Sequence, residues 1–169
     1  MSSAPKPDSM PDASARLNAH LSGYDRAMAL RFVRATPEEI VAEYVIDEQH
    51  RQPYGIVHGG VHCGMVEAAC STGAGLAAVA RGLGGVVGIE NHTSFVHAAR
   101  AGRIQVRATP LTRGRRSQLW EAVCTDDDGR VVAQGQVRLL CLEAGADLAG
   151  EPVPTRAGRD NPLLAEGKA

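Results

Sequence analysis

Aromatic residues are scarce in this 169-residue chain: two Phe, one Trp and three Tyr. Proteins that read single-stranded nucleic acid stack bases on such rings, so that class is disfavoured. An excess of one charge is also missing, because 18 Lys and Arg stand against 19 Asp and Glu. That balance speaks against a coat for nucleic acid or an anionic membrane, and no such partner is expected. The longest stretch free of Asp, Glu, Lys and Arg runs from Gln52 to Val66, fifteen residues that include His58 and His62. It is too short and too polar to span a bilayer. Residues 1–14 have no apolar run of the kind that a secretory signal needs. Cys63, Cys70, Cys124 and Cys141 form no CxxC pair and lie among apolar or small residues. They are expected to be free thiols in a reducing cytoplasm. His58 and His62 form an HxxxH pair without an acidic or Cys ligand in register, so neither metal nor other cofactor is expected. A GxSxG elbow is absent, and the glycine run at 82–85 lacks the Lys and preceding strand of a phosphate loop.

What the chain does have is length for one core and a clear order of elements. Residues 1–14 and 144–169 hold most of the prolines and show no apolar periodicity, so they read as flexible tails around a domain at 15–143. A short helix is expected over Ala15–Gly23, with Ser14 as its cap. Strands are expected near Met28–Val33 and Ile40–Ile46, followed by a long helix from Gly59–Gly60 to about Ala80. Four strands should follow. Ile104, Val106 and Ala108 alternate with polar neighbours, as do Val131, Ala133, Gly135, Val137 and Leu139. Such a period of two gives a sheet with one apolar face, and Asp128-Gly129 marks a hairpin turn. The order strand–strand–helix–four strands is not βαβ. It predicts an α+β fold with one antiparallel sheet wrapped around a long central helix.

That helix carries Val61, Met65, Ala69, Thr72, Leu76 and Val79 on one stripe, which suits a sheet. Glu67 points the opposite way, among Gly60, Cys63, Gly64, Cys70, Ser71, Ala74 and Ala78. A solvated face normally carries several charges, whereas this one carries a single carboxylate among small residues. Gly64 costs a helix about 1 kcal/mol relative to Ala, so close approach of something must offset it. A lone carboxylate in so tight a setting suggests a chemical role. The loop Gln52-Pro53-Tyr54-Gly55-Ile56-Val57-His58-Gly59-Gly60 leads into the helix N-terminus, where free N–H groups polarise carbonyl oxygens. A second signal is charge: from Asn91 to Trp120 there is no Asp or Glu, while Arg100, Arg103, Arg107, Arg113, Arg115 and Arg116 fall there. Arginine forks suit the phosphates of a small polyanionic ligand.

The stretch Gly55-Ile56-Val57-His58-Gly59-Gly60, followed by Glu67, resembles the hotdog-fold acyl-CoA thioesterases. The likeness is to the branch of 4-hydroxybenzoyl-CoA and 1,4-dihydroxy-2-naphthoyl-CoA thioesterases. It extends through Val86–Glu90, Arg116–Trp120 and Asp128–Arg130, covering roughly residues 28–142. The resemblance implies Glu67 as the catalytic carboxylate, with Gln52 and the Gly59 N–H holding the thioester carbonyl. His58 would orient the loop and Ser71 would position water. Arg100, Arg115, Arg116 and Ser117 would lie near CoA, and Phe95 and His97 would border an acyl pocket for an aromatic group.

The chemistry agrees with the residues. Thioester hydrolysis needs a polarised carbonyl and a nucleophile or base at its carbon, and no metal. Two alternatives are a hotdog enoyl-CoA hydratase and a non-catalytic acyl-CoA-binding protein. The helix has no His one turn from Glu67 on its face for the first, and the tails leave no room for a DNA-binding module for the second. Gly59 and Glu67 lie eight residues apart, about 12 Å along the axis at 1.5 Å per residue. Active sites shared between two antiparallel helices of a homodimer are therefore expected, with assembly to a homotetramer through the polar sheet face.

Overall fold

The computed structural model describes residues 10–21 and 23–152. Helices α1 (Ser14–Ala19) and α2 (Gly23–Ala27) precede strands β1 (Arg31–Ala35) and β2 (Ile40–Val45). A 3₁₀ turn at Glu48–His50 leads towards the long helix α3 (Gly59–Val79). Strands β3 (Gly85–Phe95), β4 (Arg103–Arg113), β5 (Ser117–Thr125) and β6 (Val131–Leu142) follow, and β7 (Asp147–Leu148) pairs with β8 (Glu151–Pro152). The first six strands form one antiparallel sheet in the order β1-β2-β4-β5-β6-β3, which curls around α3. This is the α+β hotdog arrangement.

Side-chain alternation explains the wrap. Ile104, Val106 and Ala108 of β4 are fully buried, as are Trp120, Ala122 and Cys124 of β5, while the residues that alternate with them are more exposed. The curled sheet encloses more of the helix than one stripe. Cys70, Ala74 and Ala78, expected on the Glu67 face, are completely buried, and every residue from Gly73 to Val79 is buried. Thr72, expected against the sheet, is half-buried beside Glu67 instead. A helix gripped on most of its circumference has no solvated face in its last two turns.

Two glycines let neighbours approach the helix. A Cβ on Gly73 would stand 2.6 Å from Trp120 Cη2. One on Gly64 would stand 2.6 Å from Met28 Sδ and 2.7 Å from Tyr24 Cε1, so the close approach at Gly64 comes from α2 of the same chain. Trp120 Nε1 donates to Gln118 Oε1 at 3.1 Å, and Gln118 Nε2 donates to the Ala74 carbonyl at 3.0 Å. This buried relay leaves Gln118 satisfied in the core. The helix ends as expected at the glycine run, with Gly82 at φ +78° and Leu83 N–H bonded to the Ala78 carbonyl at 3.1 Å.

The N-terminal elements differ from expectation. Ser14 is the first residue of α1 rather than its cap, and α1 stops at Ala19. Asp12 does the capping work instead: its carboxylate accepts the N–H groups of Ser14 at 2.8 Å and Ala35 at 2.9 Å. Ala29, at φ +53°, turns the chain out of α2, so β1 begins at Arg31 rather than Met28. The outer edge of β1 is occupied. Asn18 Nδ2 donates to the Phe32 carbonyl and Asn18 Oδ1 accepts the Phe32 N–H, both at 2.8 Å, and Ala13 N–H bonds the Ala35 carbonyl at 2.9 Å. Among the described residues the opposite edge, β3, is bonded only to β6, and it is exposed over most of its eleven residues. Of the two expected tails, residues 12–14 are thus tied to β1 and residues 147–152 form a ribbon; 1–9 and 153–169 lie outside the described residues. Cys63, Cys70, Cys124 and Cys141 are all free, and burial pushes the Cys124 thiol up to about 12. Among the described residues no helix is long and apolar enough to cross a membrane.

Candidate active site

The residues singled out in the sequence fall into three places. The first is the start of α3. His58 is its N-cap, and its Nδ1 accepts the Gly60 N–H at 2.8 Å. Val61 N–H bonds the His58 carbonyl at 2.9 Å. The Gly59 N–H has no partner among the described residues, which leaves it as a free donor at the positive end of the helix. Gln52 Oε1 accepts the Tyr54 N–H at 3.0 Å, so the amide NH₂ is the end left to donate. Gln52 and Gly59 line one cavity of about 250 Å³ together with Phe95 and His97. The Phe95 ring explains the glycine: a Cβ on Gly59 would come within 2.6 Å of it. His97 donates from Nδ1 to the Val131 carbonyl at 2.8 Å, which leaves Nε2 as an acceptor when the ring is neutral. Arg100 sits behind this loop and donates to the Tyr54 carbonyl at 2.8 Å, so it braces the loop.

The second place is Glu67, two turns along α3. Ser71 Oγ donates to Glu67 Oε1 at 2.9 Å and Asn91 Nδ2 donates to Oε2 at 3.1 Å. Asn91 also donates to the Cys63 carbonyl at 3.1 Å, and Thr93 Oγ1 holds Asn91 Oδ1 at 2.7 Å. Both carboxylate oxygens are thus aimed by neutral donors, and no Lys or Arg pairs with them among the described residues. Gly88 of β3 packs directly against Glu67 Oε1, where any side chain would collide. A cavity of about 460 Å³ surrounds the carboxylate, bordered by Tyr24, Asp25, Thr72 and Asn91. Burial raises the Asp25 carboxyl above its ordinary value. Asn91, Tyr24 and Asp25 were not anticipated. Asn is depleted in strands, so an Asn in the middle of β3 was the available signal for the first.

The third place is the β4–β5 turn. Arg115 and Arg116 are exposed there, and Ser117 opens β5. The turn lies against the far end of α3, where Arg81 Nη1 donates to the Arg113 and Gly114 carbonyls, each at 3.1 Å. The wider arginine excess is neutralised by acids from the β1–β2 connection and the β5–β6 turn. Arg107 pairs with Glu39 at 2.6 Å, Arg113 with Glu38, and Arg103 with Asp127 at 3.4 Å. Arg115 and Arg116 have no carboxylate partner among the described residues.

Within one chain, therefore, the free N–H and the carboxylate belong to different cavities with no lining residue in common. Residues 54–133, which include Gly59, Glu67 and Asn91, match the model of the thioesterase superfamily. Rv1847 of Mycobacterium tuberculosis, which carries the name of an esterase, is 43% identical over 79% of this chain and 96% of its own. The chain belongs to the thioesterase superfamily.

This thioesterase superfamily member is also 30% identical to the 1,4-dihydroxy-2-naphthoyl-CoA hydrolase of Escherichia coli, over 67% of the chain and 82% of that protein. The solved structure of Rv1847 superposes with a TM-score of 0.70, covering 72% of this chain and 97% of the other. A thioesterase from Haemophilus influenzae, 24% identical, shares the fold with a TM-score of 0.72 over 77% of this chain and 90% of its own. The protein is a thioester hydrolase.

Proposed function

We propose that the enzyme hydrolyses an aromatic acyl-CoA to the free acid and CoA, at active sites that each take residues from two chains. The observation that carries this reading is the separation of Gly59 and Glu67 into two cavities that both border the exposed strand β3. Asn91 of β3 stands in the carboxylate cavity and Phe95 of the same strand in the other. An unpaired edge is a template for a second strand. Two copies that pair antiparallel along β3, in a register centred on Thr93, set Asn91 of one opposite the partner's Phe95. Each Gly59 cavity then faces the partner's Glu67. Ile89 and Phe95, each 57% exposed on this edge, are covered in the process.

In the joined site the Gly59 N–H and the Gln52 amide donate to the thioester oxygen, and negative charge developing there is stabilised by the helix end. Glu67 either attacks the carbonyl carbon, forming an anhydride and releasing CoA thiolate before water completes hydrolysis, or takes a proton from the attacking water. Ser71 and Asn91 hold its two oxygens for this task. Ser71 has a lone pair left over to orient the water. Arg115, Arg116 and Ser117 receive the CoA phosphates and pantetheine; the unpaired state of both arginines supports this. The likeness to the 1,4-dihydroxy-2-naphthoyl-CoA hydrolase and the Phe95 ring support an aromatic acyl group. A polar hollow on the outer sheet face, lined by His92, Glu121, Gln134 and Gln136, supports stacking of two dimers into a tetramer. The four free thiols fit a reducing cytoplasm.

Mixing two inactive variants tests the shared site. Gln52→Ala and Glu67→Ala chains are unfolded and refolded together, so that half of the dimers are mixed. Each mixed dimer regains one intact site of two, and about a quarter of wild-type activity returns. If mixed dimers form and remain inactive, the site lies within one chain.

A further inference from the structure

Glycine weakens the interior of a strand, because it has no side chain to pack and loses the most freedom on folding. Gly135 is such a residue: it lies within β6, and its register partner on β3 is Thr93. A Cβ there would stand 2.6 Å from Thr93 Oγ1 and 2.8 Å from the His92 carbonyl oxygen, so the missing side chain leaves a gap that the Thr93 hydroxyl occupies. From that gap Thr93 Oγ1 donates to Asn91 Oδ1 at 2.7 Å. The other end of Asn91 is engaged as well. Its Nδ2 carries two hydrogens, and they go to the Cys63 carbonyl and to Glu67 Oε2, each at 3.1 Å. The amide thus has a partner for both N–H groups and for its oxygen. A carbonyl only accepts, so the Cys63 contact fixes which end of the amide is nitrogen. A carboxamide turned over would set its oxygen against a carboxylate and a carbonyl at once. The Thr93 hydroxyl, bonded to the oxygen on the far side, opposes that turn. Gly88, further back on β3, leaves the corresponding room beside Glu67 Oε1. Two strand glycines therefore flank one chain of bonds, Thr93 to Asn91 to Glu67, which ends on the carboxylate.

We propose that Thr93 is a positioning residue for the hydrolysis: seated in the gap at Gly135, its hydroxyl locks the Asn91 amide and through it aims Glu67 at the thioester. This rests on the reading above only in taking Glu67 as the reacting carboxylate. Reaction rates are sensitive to small errors in the placement of a reacting group, so a loosened amide lowers the rate even though every reacting atom is still present. Thr93 touches no substrate in this arrangement. Its effect falls on kcat rather than KM, and it disappears when Asn91 is absent.

The test measures kcat and KM for benzoyl-CoA in the wild type, Thr93→Val, Thr93→Ser, Asn91→Ala, and Thr93→Val combined with Asn91→Ala. Valine keeps the branched shape that suits a strand and loses only the hydroxyl. Thr93→Val is expected to lower kcat about three- to tenfold with KM within about twofold of wild type. Thr93→Ser keeps the hydroxyl and should hold kcat within about twofold of wild type. On the Asn91→Ala background Thr93→Val should change kcat by less than about twofold, since the residue it acts through is gone. An undiminished kcat in Thr93→Val, a loss that Thr93→Ser shares, or losses that multiply in the double variant would each overturn the proposal. Glu67→Gln, measured alongside, separates the two readings. Full turnover there overturns both; an inactive Glu67→Gln beside an undiminished Thr93→Val overturns the Thr93 proposal alone. A second measurement needs no turnover. The Asn91 side-chain amide gives a pair of ¹⁵N–¹H resonances, identified by their disappearance in Asn91→Ala. Thr93→Val should move both, and Thr93→Ser should leave them near their wild-type positions. Resonances that stay in place in Thr93→Val overturn the lock.

Discussion

The two cavities on α3 are built on opposite principles. At Gly59 the proposed functional group is a backbone N–H, fixed by a cap and a loop, in a cavity of mixed apolar and polar side chains. At Glu67 the proposed functional group is a flexible side chain, and its two oxygens are each held by a donor from a packed element. A backbone donor at a helix end needs little support because the helix itself aims it. A carboxylate on a long side chain must be aimed by others, and here one of the aiming groups comes from β3 rather than from the helix. The difference teaches where each half is vulnerable: the first to changes in shape, the second to the loss of one hydrogen bond.

Glu67→Gln should break the comparison most severely. The amide keeps the shape and can still meet Ser71 and Asn91, but it is neither nucleophile nor base. A fall in kcat of about 10²-fold or more is expected in a CoA-release assay, with unfolding by denaturant nearly unchanged. Activity within a few-fold of wild type would remove Glu67 from the reaction. His62 provides the next largest effect, on the other side and on stability. Its folded value, lowered by burial, lies below that of the unfolded chain, so the unfolded state binds the extra proton. The native state should therefore lose stability as pH falls from about 6.5 to about 4, by roughly 3 kcal/mol at most, and lose no more from this group below that. His62→Leu should flatten this part of the stability profile. Asn91→Ala should lower kcat by about tenfold with KM little changed, since it frees one oxygen of Glu67 and touches no substrate in the proposed site. Smallest, Arg115→Ala and Arg116→Ala should each raise KM several-fold and leave kcat nearly intact. That effect should vanish for pantetheine thioesters without the nucleotide.

Much of the fold was legible because its signals are local. The alternation in β4 and β6, the Asp128-Gly129 turn and the glycines that end α3 all lie within a few residues of the feature they cause. The oddity of Glu67 was legible too, as one charge among small residues. What was not legible depends on pairings across the sheet. Asn91 reaches Glu67 from 24 residues away in the chain, through the packing of β3 on α3. The arginine run appeared unbalanced only because its acids, Glu38 and Glu39, are distant in the chain and enter from the start of β2, the strand paired with β4. Gly64 announced a close neighbour, but Tyr24 and Met28 could be named only once α2 was placed. In the sequence His62 is half of a weak metal-type pair; its burial beside the Gly59 cavity, next to Phe95 of β3, comes from tertiary packing and leaves no trace in spacing.

The plugged edge at β1 has a consequence for how many copies of this chain can join. Asn18, Asp12 and Ala13 occupy hydrogen-bonding groups of Phe32 and Ala35 that a neighbouring strand would otherwise use. Among the described residues the sheet is left with a single open side, so its edge-to-edge valence is one. A unit of valence one closes on itself when it pairs about a two-fold axis and cannot propagate a ribbon. Removing the plug, for instance with Asn18→Ala, would convert a self-terminating unit into one with two live ends and give it a route to linear polymers.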